Sequence, residues 1–226
     1  MSKYKQTNIT GVINKNMVQV VEQESNSRIG RCINYFNETV LNYLYPIAEN
    51  VWIAGGSVRA YLAAERITDY DLFFSTEEDR QKVLYFLQQD GGRVVFSNEN
   101  VDKVRWKKKT LDVCKPLHAS PEECISSFDF TVTCAGVYKT RFLHHPDFFI
   151  DLAGKRLAMN TYSFPLGSLY RFQKYVKKGY WMCSEEMLKF TSHLKQEDLS
   201  DFIVKPDFIE QTLVPSDSNN NFPGFD

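Results

Sequence analysis

Residues 51–74, VWIAGGSVRAYLAAERITDYDLFF, restrict the fold more than any other part of the chain. Val51 to Ala54 is a short apolar run of strand type, broken by Gly55-Gly56. SVRAYLAAER then offers a serine cap and an alanine-rich helical composition. TDYDLFF returns to strand character. Alternate residues of a strand share a face, so Asp69 and Asp71 emerge together, about 6.5 Å apart along the chain, while Tyr70 and Leu72 face the other way. Two carboxylates so close repel each other unless they are solvated or share a divalent cation; magnesium takes one or two carboxylates and leaves its other positions to phosphate and water.

The turn before the helix adds a second element. Gly55 and Gly56 carry no Cβ, so a ligand can approach the main chain, and the helix that begins at Ser57 presents free N–H groups. That combination suits a triphosphate, with Arg59 one turn along as a charge-assisted donor. Other acidic pairs two apart, Glu22/Glu24 and Glu77/Asp79, lie in polar surroundings and read as solvated surface.

A chain of 226 residues suffices for one core with an appendage. The formal net charge of −1 provides no overall basic field, so a nucleic-acid partner would need a local patch. Cys32, Cys114, Cys124, Cys134 and Cys183 are scattered and form no C-x-x-C pair; they read as small buried apolar residues in a reducing compartment. The N-terminal residues lack an apolar signal core, and no apolar run is long enough for a membrane span, so the expected location is cytoplasmic.

Helical spacing of Ile29, Cys32, Ile33, Phe36, Val40, Leu41 and Leu44 predicts an amphipathic helix ending near Pro46, after a short strand at MVQVV. EEDRQKVLYFLQQ reads as a helix closed by Gly91-Gly92, followed by strands at RVVFS, KVRWK and TLDVC, the last two joined by a lysine-rich turn. PEECISS reads as one or two helical turns and FDFTVTCAGVY as a strand. HPDFFIDLAGKRLAMN, PLGSLYRFQKYVKKG and EEMLKFTSHLKQ read as helices. The expected class is α+β: a mixed sheet flanked by helices over residues 1–154, a small helical portion over 155–205, and a loose polar tail over 206–226.

GGSVRAYL and TDYDLFF resemble the signatures of the DNA polymerase beta-like nucleotidyltransferase superfamily, in particular the head domain of bacterial poly(A) polymerases and CCA-adding tRNA nucleotidyltransferases. FDFTVTCAGVY is similar to that family's Arg-Arg-Asp-Phe-Thr-Ile-Asn-Ala segment, and DLAGKRL and PLGSLYRFQKY to the segments that follow it; the order and spacing agree over residues 51–178. The resemblance implies two Mg2+ or Mn2+ ions and attack of a hydroxyl on the α-phosphate of a nucleoside triphosphate, such as ATP, with loss of pyrophosphate. Asp69 and Asp71 would be catalytic metal ligands. Asp112 is the choice for the third carboxylate, because Leu111 and Val113 fit a buried face, although an exposed edge residue is an equal reading. Asp129 matches the family's aspartate and either supplies that carboxylate, binds the ribose or bonds its own turn. Gly55, Gly56, Ser57, Arg59, Asp129, Arg171 and Lys174 form the expected nucleotide-binding set.

The chain departs from the family pattern at Ala60, where the family is acidic, and at Ser127 and Phe128, where it has paired arginines. A segment matching the family's base-reading Glu-Asp-x-x-Arg is missing. Arg105, Trp106, Lys107, Lys108 and Lys109 form a basic stretch that either is a solvated face or contacts RNA through stacking and phosphates. The expected activity is therefore transfer of a nucleoside monophosphate to a hydroxyl, with an RNA or tRNA 3′ end favoured as acceptor. A catalytically silent binding or regulatory scaffold, or a minimal phage- or toxin-type transferase acting on tRNA or protein, is the alternative.

Overall fold

The described residues of the computed structural model are 18–22 and 27–194; Met17, the N-terminal residues before it and everything after 194, with Phe222 and Phe225, lie outside them. In chain order the elements are β1 (Gln19–Glu22), α1 (Arg28–Phe36), a π-helical stretch (Asn37–Leu41), α2 (Asn42–Leu44), β2 (Val51–Ala54), α3 (Gly56–Leu62), β3 (Tyr70–Phe74), α4 (Glu77–Gln89), β4 (Arg93–Ser97), β5 (Val101–Trp106), β6 (Lys109–Leu117), α5 (Pro121–Ser126), a 3-10 turn (Thr131–Thr133), β7 (Ala135–Tyr138), β8 (Arg141–His144), α6 (Phe148–Gly154), α7 (Pro165–Val176) and α8 (Ser184–Leu194). The strands form one mixed sheet in the order β1-β8-β7-β2-β3-β6-β5-β4. Only β3 and β6 run parallel; every other neighbouring pair is antiparallel. The class is α+β.

The two faces of the sheet differ. Val51, Ile53, Leu72, Phe74, Val104, Trp106, Leu111 and Val113 face the main core, which α1 through α4 complete with Ile33, Phe36, Leu41, Val58, Val83 and Leu87. Trp52, Ala54 and Leu143 face a second, smaller cluster with Cys124 and Ile125 of α5. Strand alternation places Asp71 and Phe73 on this second face, and the buried neighbours Leu111 and Val113 place Asp112 there too. α5 contacts β7 and β8, so the second face of β3, β6 and β5 carries polar groups.

Several helix starts follow from local chemistry. Ser27, Thr76 and Ser120 cap α1, α4 and α5 by accepting from the N–H groups of Gly30, Asp79 and Glu123. The long N-terminal helix reads through to the region of Pro46 but changes pitch over Asn37–Leu41.

Four sequence expectations are corrected, the first being the serine cap: α3 begins at Gly56 with Gly55 as its cap residue, and Ser57 lies inside the helix without a capping bond. FDFTVTCAGVY is not one strand: Thr133 Oγ1 donates to the Phe130 carbonyl at 2.8 Å, winding a 3-10 turn before β7 begins. The β8 strand, which returns through the left-handed Lys139, was not expected. The helix predicted over HPDFFIDLAGKRLAMN is limited to α6, because Lys155 adopts φ 50° and ends it. Beyond α6, Phe130, Val132, Leu157, Tyr175 and Tyr180 form a third apolar cluster that attaches α7 to the sheet region. Among the described residues no helix is long and apolar enough to cross a membrane. All five cysteines are free, and only Cys183 is not buried.

Candidate functional site

Asp71 of β3 and Asp112 of β6 are register partners in the parallel pair, and Asp112 is in turn the partner of Lys103 on β5. Three adjacent strands therefore present Asp71, Asp112 and Lys103 in one row, with Asp69 just before β3. Lys103 Nζ lies 2.7 Å from Asp112 Oδ1, donates to Oδ2 at 2.8 Å and stands 3.8 Å from Asp69 Oδ2. The shorter Oδ1 contact lacks hydrogen-bond geometry, which leaves that buried oxygen without a directed donor. Thr68 Oγ1 donates to Asp69 Oδ1 at 2.8 Å.

Burial pushes the Asp71 carboxyl up to about 7, and the negative charges of Asp69 and Asp112 add to the rise. Asp112 is also raised, first by burial, although the Lys103 ammonium opposes the shift. Burial opposes the charge on Lys103, yet its bond to Asp112 holds it above its ordinary range. The carboxylates are thus under-neutralised, the condition in which a divalent cation is favourable. The described residues contain no ready-made set of three metal-ligating side chains. Asp69 and Asp71 form the pair, and Asp112 can join them only if Lys103 gives up its position. The oxygen donors and the undirected Asp112 Oδ1 fit a hard cation.

The Gly-Gly turn borders this row. Gly55 adopts φ 85° and ψ −135°, a region that residues with a Cβ avoid, and donates its N–H to the Ala135 carbonyl at 2.8 Å. A Cβ at Gly55 would lie 3.8 Å from Asp71 Oδ2, so turn and carboxylate are in close proximity. Ser57 Oγ is buried and has no hydrogen-bond partner. With Gly56, Asp69, Lys174, Tyr175 and Lys178 it lines a narrow notch of about 20 Å³. A triphosphate would therefore lie across the mouth of the notch rather than inside it. The charge of Lys174 acts on both Asp71 and Asp112.

Arg59 points elsewhere. Its Nη1 donates to Glu65 Oε2 and to Tyr180 Oη, each at 2.8 Å, and its guanidinium lies 5.1 Å from the ring centre of Tyr175 and 5.3 Å from that of Tyr180. The side chain is 2% exposed, so the expected contact with a triphosphate is replaced by a structural one. Asp129 and Arg171 meet each other: Arg171 Nη1 donates to Asp129 Oδ2 at 2.6 Å, while Asp129 Oδ1 accepts from the Phe130 N–H. Asp129 is thus engaged by Arg171 and the Phe130 N–H, not by the Lys103 ammonium that bonds Asp112.

The expectation of RNA stacking on Trp106 is overturned. Alternation along β5 sends Asp102, Val104 and Trp106 under α4, where the indole is 1% exposed and donates to Asp90 at 2.9 Å. Lys107 also folds back, pairing with Asp90 at 3.0 Å and lying over the Tyr43 and Trp106 rings. Arg105 and Lys108 remain exposed, with Lys109 half-buried. The sequence reading did not place Lys103 in the site. The signal was there: a two-residue turn at Lys107-Lys108 pairs Trp106 with Lys109 and, three residues along each strand, Lys103 with Asp112.

The model of the family described as "Gad2: Gabija anti-defense 2 family protein" matches residues 26–155, more than half of the sequence. The chain belongs to the Gabija anti-defense 2 family. The matched region of this family member includes the Gly-Gly turn and the Asp71–Asp112–Lys103 row. A relative named Gabija anti-defense 2, from Bacillus phage SPbetaL7, is 30% identical over 150 residues, which cover 61% of this chain and 35% of the relative. The match thus spans about a third of that relative's length.

Solved structures agree on the fold. A Thermotoga maritima CCA-adding enzyme complexed with tRNA aligns with a TM-score of 0.59 at 11% identity, covering 78% of this chain and 46% of that one. A CCA-adding enzyme with CTP gives 0.58 at 13% identity over 80% and 46%. A tRNA nucleotidyltransferase with a primer tRNA and an incoming ATP analogue gives 0.50 at 16% identity over 67% and 50%. The scaffold of this family member is nucleotidyltransferase-like; at such identities the likeness concerns the fold.

Proposed function

We propose that the protein is a metal-dependent nucleotidyltransferase that moves a nucleoside monophosphate from a triphosphate to a hydroxyl, and that this transfer serves an anti-defence role of the kind its phage relative is named for. The row of under-neutralised carboxylates on the neighbouring strands β3 and β6, beside a Gly-Gly turn, carries the reading. Asp69 and Asp71, joined by Asp112, would hold Mg2+ or Mn2+, which when bound supplies charge stabilisation for the entering and leaving oxygens. Ser57 Oγ, buried without a partner among the described residues and lining the notch, supports a role in bonding a phosphate oxygen there. Lys174 adds positive charge on the same side. Gly55 lets the main chain turn where a side chain would block the approach to Asp71. Arg171, half-exposed and oriented by Asp129, offers remaining donors to the nucleotide's sugar or base.

An RNA 3′ end is the favoured acceptor, in keeping with tRNA in the related complexes and the cations of the β5–β6 hairpin. The second reading, a silent binding scaffold, draws support from Lys103, whose ammonium sits where a cation bridging Asp69 and Asp112 would sit. Incubation with each α-labelled nucleoside triphosphate, Mg2+ or Mn2+, total RNA and lysate protein separates the two. Label should enter RNA with the wild type and not with Asp69→Asn/Asp71→Asn. Label in protein instead would correct the acceptor. Absence of label, together with absence of metal-dependent nucleotide binding, would leave the silent scaffold.

A further inference from the structure

At the end of the sheet where β3 and β6 begin, a basin of about 560 Å³ opens beside the notch. Arg66, Arg105, Lys108 and Lys109 line it together with the hydroxyl-bearing Thr68 and Thr110, and Ile67 and Tyr70 complete its wall. The segment Arg66–Thr68 also borders the notch, so the two spaces share one wall. The cations of the basin differ from their neighbours. Lys103 is paired with Asp112 and Lys107 with Asp90, whereas the side chains of Arg66, Arg105, Lys108 and Lys109 have no ionic partner among the described residues. Four uncompensated like charges around one concavity repel each other, and the arrangement becomes favourable when an anion of comparable charge enters.

The turn that delivers the lysines is itself costly. Lys107 and Lys108 adopt φ 44° and 63°, both left-handed, at a two-residue hairpin where Asn-Gly is the preferred solution. A side chain with a Cβ is strained in that region, where glycine is not. The turn divides their roles: Lys107 is tied to Asp90 and the aromatic rings, while Lys108 is left at the basin. Arg105 and Thr110 are cross-strand partners, which puts a guanidinium and a hydroxyl side by side.

We propose that this basin is a second anion site, separate from the carboxylate row, that binds a ligand with two or more closely spaced phosphates. Carboxylates of an acidic peptide are a weaker match, because each sits on its own flexible side chain, whereas linked phosphates hold two or three non-bridging oxygens apiece at close spacing for the guanidinium forks of Arg66 and Arg105 and the threonine hydroxyls. The volume accommodates a nucleotide-sized group. The same chemistry occurs in a nucleic-acid strand and in a free polyphosphate or nucleotide, and the shared wall would hold either next to the notch. The site does not depend on the transferase reading.

Titration of the full chain with inorganic tripolyphosphate by calorimetry, and with a labelled single-stranded oligoribonucleotide by anisotropy, tests the assignment. Arg66→Gln/Arg105→Gln should weaken binding at least tenfold and, in the oligonucleotide arm, reduce the salt slope by about 1.4 for two lost phosphate contacts. Lys82→Gln/Lys189→Gln, the same change of charge elsewhere, should have little effect. A loss as large in that control, or in Asp69→Asn/Asp71→Asn, would overturn the site by assigning binding to general charge or to the carboxylate cleft. Acetylation footprinting of the wild type guards against misfolded variants: tripolyphosphate should protect Lys108 and Lys109 but not Lys82, and equal reactivity would overturn the proposal. Displacement of tripolyphosphate by the oligonucleotide supports a strand as the source, whereas tripolyphosphate binding without oligonucleotide binding supports a free nucleotide.

Discussion

Asp102 and Lys103 are consecutive residues of β5 that face opposite sides of the sheet, and each belongs to an acid–base cluster of a different kind. On the main-core side Asp102 is buried but fully met: Arg80 Nη1 donates at 2.8 Å, Ser97 Oγ at 2.6 Å, and Lys115 Nζ stands at 3.0 Å. Burial alone would raise its carboxyl, yet these partners outweigh burial and hold it below the usual range. On the other side Asp71 accepts no hydrogen bond among the described residues, and Lys103 is the one ammonium within reach of Asp69 and Asp112. The first cluster has its cations built in and is complete. The second has more anionic than cationic charge among the described residues, with Lys103 as the ammonium paired to it.

The largest test of this contrast is Asp102→Ala. It would leave Arg80 buried with one fewer anion and should cost about 3–5 kcal/mol, read as a shift of the urea midpoint. A loss below about 1 kcal/mol would show that the two clusters are not different in kind.

The second test concerns pH. Asp71 is held near 7 in the folded chain against an ordinary 3.8, so the folded state binds its proton more tightly than the unfolded state does. That advantage is full below the ordinary value and is lost as pH rises through about 7. Metal-free wild type should therefore lose about 3 kcal/mol between pH 4.5 and 7.5 relative to Asp71→Asn, and saturating Mn2+ should remove the difference. Parallel melting curves for the two proteins with and without Mn2+ decide it; identical pH profiles would mean that Asp71 is already neutralised.

The smallest effect is expected from Lys103→Met. Removing the internal cation should tighten Mn2+ binding by about tenfold, near 1.4 kcal/mol, in calorimetry. Weaker binding in the variant would show that Lys103 supports the ligand geometry instead of competing for it.

The central part of the fold was legible because its signals are local. Alternation around Asp69 and Asp71, the Gly-Gly break and the helical composition on either side each concern a few neighbouring residues, and β2, α3, β3 and α4 follow from them. The placement of Asp112 beside Asp71 depends on pairing between distant strands, for which periodicity supplies only the face. The fate of Arg59 was not legible at all. Its partners Tyr175 and Tyr180 lie more than a hundred residues away, and nothing near Arg59 distinguishes a guanidinium aimed at a ligand from one packed against two phenols. Trp106 was misread for a simpler reason: the lysines around it suggested a solvated segment, while strand alternation within the same segment gave the indole to the core.

Arg59 has a mechanical consequence. It lies on α3, directly after the Gly-Gly turn, yet its guanidinium is held against two mutually packed aromatic rings at the end of α7 and just beyond it. Lys174 is next to one of those rings. The two walls of the notch are therefore riveted together by Arg59 against Tyr175 and Tyr180 and by Glu65 against Lys178 and Tyr180, and α7 cannot swing open like a door while those contacts hold. A nucleotide arriving at the mouth would be accommodated by side chains turning in place, or by α3 and α7 shifting as one piece. Conversely, a load applied to α7 would be delivered through Arg59, Glu65 and their partners to α3 and the backbone turn next to Asp71.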